Sequence, residues 1–326
     1  MHDYYNGVNT VIMKVQHKVR DYNLVPLVIG TRGSPLAVAQ AEETRNRLMN
    51  AHQLNKAAFS IKIIQTTGDL VQNRPLSEIG GKGLFTVEIE ESLLNGTIDI
   101  AVHSMKDMPT VLPDGLTIST LLPREDVRDS FVSRKFKKIC ELPKGCVVGT
   151  SSLRRKAQLL TLRPDLNIVE FRGNVQTRLR KLDDGIADAT FLACAGLTRL
   201  NLRDLINPIE TNEMLPAVAQ GAIGIEQKSD NEDIREFLRP IHDKKTELEL
   251  LAERSFLSEL DGSCRTPIGG LAKIVGEKII FNGEILKPDG SQIFRDKWDG
   301  DVSDAIAIGK KAGQILKEKG GEDFFK

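Results

Sequence analysis

The sequence predicts an α/β fold with largely parallel sheets, followed by a smaller α+β unit. After Pro26, short apolar strands alternate with amphipathic helices as far as residue 200, an order that favours parallel sheets with crossover helices. After residue 245 the order changes to a helix, three strands joined by glycine-containing turns, and a final helix. We therefore expect a boundary at residues 240–245, in "PIHDKK".

The first predicted strand, 27–30, is followed by a helix whose N-cap and first residue are Ser34 and Pro35. Further strands and helices are predicted within 59–69, 83–96, 98–109, 145–160, 167–185 and 187–200, then a helix at 245–260, three antiparallel strands, and a helix at about 301–319. Ligands of such sheets bind at the carboxyl ends of the strands, so the polar residues after each strand are candidate ligand contacts.

Length and composition limit the class of protein. A chain of 326 residues is long enough for two or three domains, and 40% hydrophobic with 28% charged residues is typical of a globular protein. Basic and acidic residues number 45 each, so the zero net charge gives no general attraction to nucleic acid or membranes. Aromatic residues make up 5%, too few for base-stacking surfaces.

Cysteines, histidines and the N-terminus exclude further classes. The four cysteines form no C-x-x-C pair and the five histidines have no metal-ligand spacing, so we expect free thiols and no metal. No apolar run is long enough for a membrane span. Residues 1–25 are polar and have no signal-peptide core, so we expect a disordered or loosely attached extension on a cytoplasmic protein.

Positive charge is concentrated between residues 150 and 181, where eight cations and two acidic residues give a net charge of +6. The cations are Arg154, Arg155, Lys156, Arg163, Arg172, Arg178, Arg180 and Lys181. Arg154, Arg155 and Arg172 come just after strands, where helices begin. Arg32 and Lys106 occupy similar positions in the first half. Arginine binds carboxylates at two points and helix N-terminal amides add to the attraction, so the pattern favours a ligand with several carboxylates or phosphates.

Two further residues are candidates for chemistry. Asp107 ends a predicted strand in "HSMKDMP", where an aspartate that caps a turn explains the local sequence as well as a functional carboxylate does. Its place among cations favours function, because a carboxylate there stays ionised. Cys264 lies in the polar turn "DGSCRTPIGG" (261–270), although an isolated cysteine is more often a small apolar filler.

From Leu27 to the C-terminus the sequence resembles the hydroxymethylbilane synthase (porphobilinogen deaminase) family. The matching stretches are "GTRGSPLA" (30–37), "GGKGLF" (80–85), "DIAVHSMKDMP" (99–109), "VGTSSLRR" (148–155), "FRGNVQTRL" (171–179), "AGLTRL" (195–200), "LPAVAQGAIGIE" (215–226) and "DGSCRTPIGG" (261–270). Eight motifs in the same order identify this family specifically, although no single motif would do so. Ser263 stands where the family often has a second glycine before its cysteine.

The resemblance implies two type II periplasmic-binding-protein-like α/β domains around a cleft and a small C-terminal α+β domain. Their ranges would be 26–122 with 222–240, 123–221, and 241–326, with residues 1–25 as the extension. It implies a transferase that joins four porphobilinogen units head to tail with loss of ammonia and releases linear 1-hydroxymethylbilane. A dipyrromethane cofactor would be attached to Cys264 through a thioether. The protein would be a monomer without metal, nucleic-acid or membrane partners.

The resemblance also implies roles for individual residues. Asp107 would stabilise the cationic methylene-pyrrole intermediate and assist proton transfer, with Arg32 and Lys106 as further catalytic residues. The cofactor carboxylates would be held by Lys106, Asp107, Ser152, Arg154 and Arg155. Substrate and intermediates would be bound by Arg32, Ser34, Arg172, Arg178, Arg199 and Gln220.

Two readings of another class are open to test. A non-catalytic two-domain protein that binds polycarboxylates or other anions would explain the arginines and the cleft, but not Cys264. An RNA-binding protein that uses residues 150–181 would explain the local charge, although the low aromatic content and neutral total charge oppose it.

Overall fold

A computed structural model describes residues 22, 24–70, 86–262 and 266–325. Cys264 and most of the expected N-terminal extension lie outside these residues. Tyr22 falls in the range that we expected to be disordered or loosely attached, and its ring is buried, with its centroid 4.3 Å from that of Phe237. An aromatic ring gains free energy when it leaves water, which explains why this part of the extension packs on the protein.

Strands and helices are interspersed as far as Leu238, although no α-helix separates the strands at 100–104, 116–121, 129–133 and 147–149, and a helix, three strands and a helix complete the chain. The strands are β1 (Leu27–Arg32), β2 (Phe59–Ile64), β3 (Ile100–Ser104), β4 (Leu116–Leu121), β5 (Asp129–Ser133), β6 (Val147–Gly149), β7 (Asn167–Val169), β8 (Ala189–Ala193), β9 (Ile223–Lys228), β10 (Ile268–Val275), β11 (Lys278–Leu286) and β12 (Ile293–Asp301). The helices are α1 (Pro35–His52), α2 (Thr67–Leu70), α3 (Val87–Leu94), α4 (Leu153–Leu162), α5 (Val175–Asp183), α6 (Cys194–Arg199), α7 (Glu232–Leu238), α8 (Lys244–Glu259) and α9 (Ala305–Gly320).

Within the described ranges, the strands form three sheets. A five-stranded sheet has the order β2-β1-β3-β9-β4, a four-stranded sheet the order β5-β8-β6-β7, and a three-stranded sheet the order β10-β11-β12. We call each sheet with its helices the first, second and third unit: α1, α2, α3 and α7 belong to the first, α4 to α6 to the second, and α8 and α9 to the third. The expected class, two α/β units and a small C-terminal α+β unit, is confirmed.

The first two sheets are mixed rather than largely parallel. Strand β1 is parallel to β2 and β3, but β9 is antiparallel to β3 and β4. In the second sheet β6 is parallel to β7 and β8, and β5 is antiparallel to β8. The antiparallel strands β5 and β9 are those that enter after the chain has crossed from the other unit, so alternation along the sequence does not predict their direction.

Helix starts follow from the sequence. The side chains of Ser34, Ser152, Asn174 and Asp243 accept hydrogen bonds from the backbone N–H three residues later, and each thereby satisfies one amide that the helix leaves unpaired. These caps fix where each helix begins at the end of a strand or loop, and so fix which side chains occupy its first turn.

Two crossovers join the first and second units, and they touch. Gly221 in the second crossover has a φ of +89°, and a Cβ there would lie 2.5 Å from the carbonyl oxygen of Glu125 in the first. Only glycine fits this contact, because a side chain would meet backbone rather than a mobile group. The Glu125 amide donates to the Gly221 oxygen at 3.3 Å.

The third unit holds both crossovers through one buried carboxylate. Glu253 of α8 accepts from Arg124 at 2.7 and 3.0 Å and from the Ala219 amide at 2.6 Å. It also accepts from the amide of Ala272 in β10 at 2.8 Å. A charge-assisted two-point pair of this kind fixes geometry as well as adding stability. None of the helices in the described ranges is long and apolar enough to cross a membrane.

Candidate active site

Lys106 and Asp107 lie in a single 3-10 turn, Met105–Asp107, at the end of β3. The amide of Met105 donates to the oxygen of Ala222 at 3.0 Å, which holds the turn beside the start of β9. Met105 and Met108 are buried, whereas Lys106 is half-buried and Asp107 is exposed. The buried methionines therefore turn the lysine and the aspartate away from the core.

The second unit places two arginines against one aspartate. Arg154 Nη1 donates to Asp129 Oδ2 at 2.8 Å, and Arg155 donates to Oδ1 through Nη2 at 2.6 Å and Nε at 3.1 Å. Asp129 is 0% exposed, and the arginines are 4% and 5% exposed. Burial opposes ionisation of Asp129, but the two guanidinium groups outweigh it and hold its pKa well below its usual range. Asp129 is thus a buried anion that orients both arginines.

The arginine pair occupies the first turn of α4, which Ser152 caps through its Oγ and the amide of Arg155 at 3.4 Å. Arg155 also donates to the oxygen of Phe191 at 2.7 Å. Arg154 has less complete pairing, because its Nε is buried with no hydrogen-bond partner. Both arginines were expected to hold cofactor carboxylates. In the structure both arginines donate to the carboxylate of Asp129, and their contact with the cofactor stays a prediction.

Charges from the two units act on one another across the site. Burial lowers the pKa of Lys106. The nearby carboxylate of Asp107 opposes this shift, and the positive charge of Arg155 adds to it. Burial likewise lowers the pKa of Arg178 to about 10, and repulsion from the charge of Arg155 is the second cause. The carboxylates of Glu170 and Asp107 oppose this shift. The Lys106–Asp107 turn of the first unit therefore lies close enough to Arg155 and Arg178 of the second for their charges to interact.

The other predicted cations lie at strand ends or helix starts. Arg32 ends β1 and is half-buried. The Oγ of Ser34 accepts from the Ala37 amide at 3.2 Å, so this hydroxyl caps α1. Arg172 is half-buried before α5, and in that helix Arg178 Nε donates to the oxygen of Gly173 at 2.9 Å. Their substrate contacts stay predictions.

Gln220 and Arg199 have protein partners. Gln220 is 1% exposed and donates to the oxygen of Val127 at 2.8 Å and to Asp129 Oδ1 at 3.0 Å. Arg199 of α6 donates to Glu43 of α1 at 3.0 Å and to the oxygen of Gly221 at 3.1 Å. Arg199 thus connects the two α/β units near their crossovers. The expected contacts of both residues with substrate stay predictions.

Sequence reasoning missed Asp129 and the link from the arginine pair to the third unit. Gln158 accepts from Arg154 Nη1 at 2.9 Å and donates through Nε2 to the buried carboxylate of Glu284 in β11. Glu284 accepts from Arg295 Nε at 2.6 Å. The only signal in the sequence was a local excess of positive charge, which predicts buried carboxylate partners without saying where in the chain they lie.

Three cysteines lie in the described ranges: Cys140 is exposed, Cys146 is half-buried and Cys194 is buried. Burial raises the pKa of Cys146, and it raises that of Cys194 to about 12. Neither thiol is therefore activated as a nucleophile. In the same ranges no group of three or more histidine, cysteine and carboxylate side chains could hold a metal ion.

Comparisons with known proteins agree along the chain. Residues 27–236 match the family model described as "Porphobilinogen deaminase, dipyromethane cofactor binding domain", and residues 247–318 match "Porphobilinogen deaminase, C-terminal domain". The porphobilinogen deaminase of Paracoccus denitrificans is 58% identical over 301 residues, which cover 92% of this chain and 96% of that protein. That of Nitrobacter winogradskyi is 56% identical over 298 residues, covering 91% and 94%.

Solved structures give a weaker similarity. A periplasmic substrate-binding protein of an ABC transporter from Coxiella burnetii is 14% identical with a TM-score of 0.41, covering 68% of this chain and 93% of that one. The methionine-binding protein MetQ is 15% identical with a TM-score of 0.42, covering 70% and 93%. These scores are too low to support an argument. The family models and the curated relatives span both α/β units and the third unit, and the chain belongs to the porphobilinogen deaminase family.

Proposed function

We propose that this chain condenses four porphobilinogen molecules head to tail, with loss of ammonia, and releases linear 1-hydroxymethylbilane. The proposal rests on the Lys106–Asp107 turn of the first unit lying close enough to Arg155 and Arg178 of the second for their charges to influence one another. One carboxylate among several cations suits a reaction in which a polycarboxylate substrate passes through a cationic state. Membership of the family makes the chain a transferase of porphyrin biosynthesis with a dipyrromethane cofactor.

The donor set fits a cofactor that carries carboxylates. Arg154 Nε is buried without a partner, and burial lowers the pKa of Lys106 and Arg178 because nearby carboxylates do not compensate them fully. Anionic groups of a bound ligand would supply that compensation. When bound, the dipyrromethane supplies the pyrrole carbon to which substrate units are added. We propose that Lys106, Ser152, Arg154 and Arg155 hold it, with attachment at Cys264.

The chain's own residues orient the substrate and handle its charge. Asp107 is exposed at the tip of its turn, where its carboxylate can approach the substrate carbon that becomes cationic when ammonia leaves, and can accept a proton. Arg32, Arg172 and Arg178 would bind substrate carboxylates at two points each. Asp129 keeps Arg154 and Arg155 fixed before ligand arrives, so little reorganisation is needed.

Intact mass and ammonia release test the proposed function. Purified protein should carry an added mass equal to two porphobilinogens less two ammonias, and peptide mapping should place it at Cys264. Cys264→Ser should lose the adduct and sustained turnover, whereas the matched control Cys140→Ser should keep both, because Cys140 is exposed and outside the site. An adduct on another cysteine, or unmodified wild-type protein that turns nothing over, would overturn the proposal. The anion-binding alternative is not favoured, since full-length relatives are deaminases.

We also propose a division into three domains, 26–122 with 222–240, 123–221, and 241–326. Each range holds one of the three sheets, which supports these boundaries. A monomer acting in the cytoplasm on a small-molecule substrate, without nucleic-acid or membrane partners, completes the proposal. Size-exclusion chromatography with light scattering tests the oligomeric state directly.

A further inference from the structure

The turn that carries Lys106 and Asp107 is built on the third unit. Met105 and Met108 flank these two residues and belong to one buried cluster with the core of the third unit, including Phe256 of α8. Their burial is nearly complete, at 3% and 4% exposure. The turn therefore has two sides, one packed on the third unit and one facing the arginines of the second.

Arg254 of α8 makes the polar contact between the same two parts. Its Nη2 donates to the oxygen of Pro109 at 2.6 Å and its Nη1 to the oxygen of Met108 at 3.4 Å. Arg254 is half-buried, and burial lowers the pKa of its guanidinium, with no carboxylate among the described residues opposing the shift. Removing a cation from water costs free energy, and the hydrogen bonds to the two backbone oxygens that directly follow Asp107 offset part of that cost.

Helix α8 is a firm support for this contact. Helix α9 packs so closely on it that a Cβ on Gly309 would lie 2.1 Å from the backbone oxygen of Ala252, and a Cβ on Gly313 would lie 2.6 Å from the Cβ of Glu259. The close approach of two helices through glycine backbones leaves α8 little room to shift. The chain reaches Cys264 five residues after the end of α8 at Glu259.

We propose that Arg254 is a positioning residue that fixes the Lys106–Asp107 turn to helix α8. This inference rests on the proposed function, because it gives the turn a catalytic task. The helix that leads toward the expected attachment residue then also sets the position of the carboxylate. The turn that carries Asp107 and the end of α8, which precedes Cys264 in the sequence, are then both held by the third unit.

The test compares Arg254→Met with wild-type holoenzyme. Methionine keeps much of the apolar stem and removes both donors. The matched control is Arg235→Met, since Arg235 also donates to a backbone oxygen, that of Ser229 at 2.7 Å, but lies on the far helix α7. Turnover and KM for porphobilinogen, adduct content by intact mass, and hydrogen exchange of peptides covering 105–112 are measured for each. If Arg254→Met does not accumulate, Arg254→Gln gives the same comparison while keeping one donor.

We expect Arg254→Met to keep the adduct and to exchange amide hydrogens faster at 105–112. Its kcat should fall by about tenfold to a hundredfold, with KM within about twofold of wild type, because a small displacement of a catalytic group greatly slows the reaction. Arg235→Met should match wild type. A kcat within about twofold of wild type, or unchanged exchange at 105–112, would overturn the positioning role. A wild-type protein without turnover would instead count against the proposed function, while the exchange comparison would still decide whether Arg254 holds the turn.

Discussion

Replacing Asp129 with asparagine tests whether the arginine pair depends on its buried anion. Asp129→Asn keeps the size of the side chain but removes the charge that Arg154 and Arg155 share at 2.8 and 2.6 Å. Breaking a buried ion pair on one side typically costs about 3–5 kcal/mol, because the partner charge stays buried. Two arginines lose their counterion here, so we expect the upper part of that range. At roughly 2–4 °C per kcal/mol for a large domain, a loss of about 4–5 kcal/mol should lower the unfolding midpoint by about 8–20 °C.

Far-UV circular dichroism should follow this unfolding, since the single tryptophan, Trp298, lies in β12 of the third unit and does not report on the second. The control is Asp165→Asn, which removes an aspartate paired with Arg163 at 2.7 Å but 27% exposed. That change should lower the unfolding midpoint far less, because water and salt screen a solvent-accessible ion pair. If Asp129→Asn is within about 1 kcal/mol of wild type at neutral pH, the buried anion does not stabilise the arginine pair as argued.

The pH dependence of this difference has a definite sign. The folded-state pKa of Asp129 is lowered, because the two guanidinium groups outweigh burial. Its contribution to stability is therefore fully present above the unfolded-state pKa of about 3.9 and is lost as pH falls through the lower folded-state value. Wild type and Asp129→Asn should differ by a constant amount from about pH 5 to 8 and should converge only in stronger acid.

Three further outcomes follow from the site. Asp107→Asn should lower turnover at least a hundredfold, since an electrostatic contact to a charge that develops in the transition state contributes about 3–4 kcal/mol. The unfolding midpoint should not change, because Asp107 is exposed. Ammonia release within tenfold of wild type would contradict the role of Asp107. Cys194, buried and with its pKa raised to about 12, should stay unalkylated at pH 8 in native protein while Cys140 is labelled, and rapid labelling of both in peptide maps would refute this. Arg199→Gln and Glu43→Gln should each lower stability with KM unchanged, whereas a rise in KM for Arg199→Gln alone would reveal a substrate contact instead.

Local signals in the sequence predicted much of the framework. The period of apolar residues located strands and helices, and Ser34 and Ser152 marked helix starts that the structure confirms. The position of Lys106 and Asp107 just after a strand also followed from pattern alone. These features depend on residues close together in the chain, which is why one sequence suffices to predict them.

Features that depend on distant residues were not predictable. Asp129 meets Arg155 from 26 residues away, and Gln158 meets Glu284 from 126 residues away. No local period encodes such pairs, because they are chosen by how whole sheets pack. Arg199 illustrates the same limit: the family resemblance implied a substrate contact, which stays a prediction, but no local pattern predicted that the fold brings Glu43 of the other unit within reach.

The place of β9 in the first sheet has a consequence for the order in which a growing chain can fold. Strand β4 touches that sheet only through β9, since the order is β3-β9-β4, yet β9 is synthesised after the whole second sheet. Residues 129–193 hold every strand of the four-stranded sheet in one uninterrupted stretch and can close first, before the sheet that begins the chain. A ribosome-bound chain arrested with residue 215 just outside the exit tunnel should therefore resist protease within 129–193 while 116–121 is still cut. Protection should spread to that strand only after residue 228 has emerged, so the N-terminal half of this protein is completed late in translation.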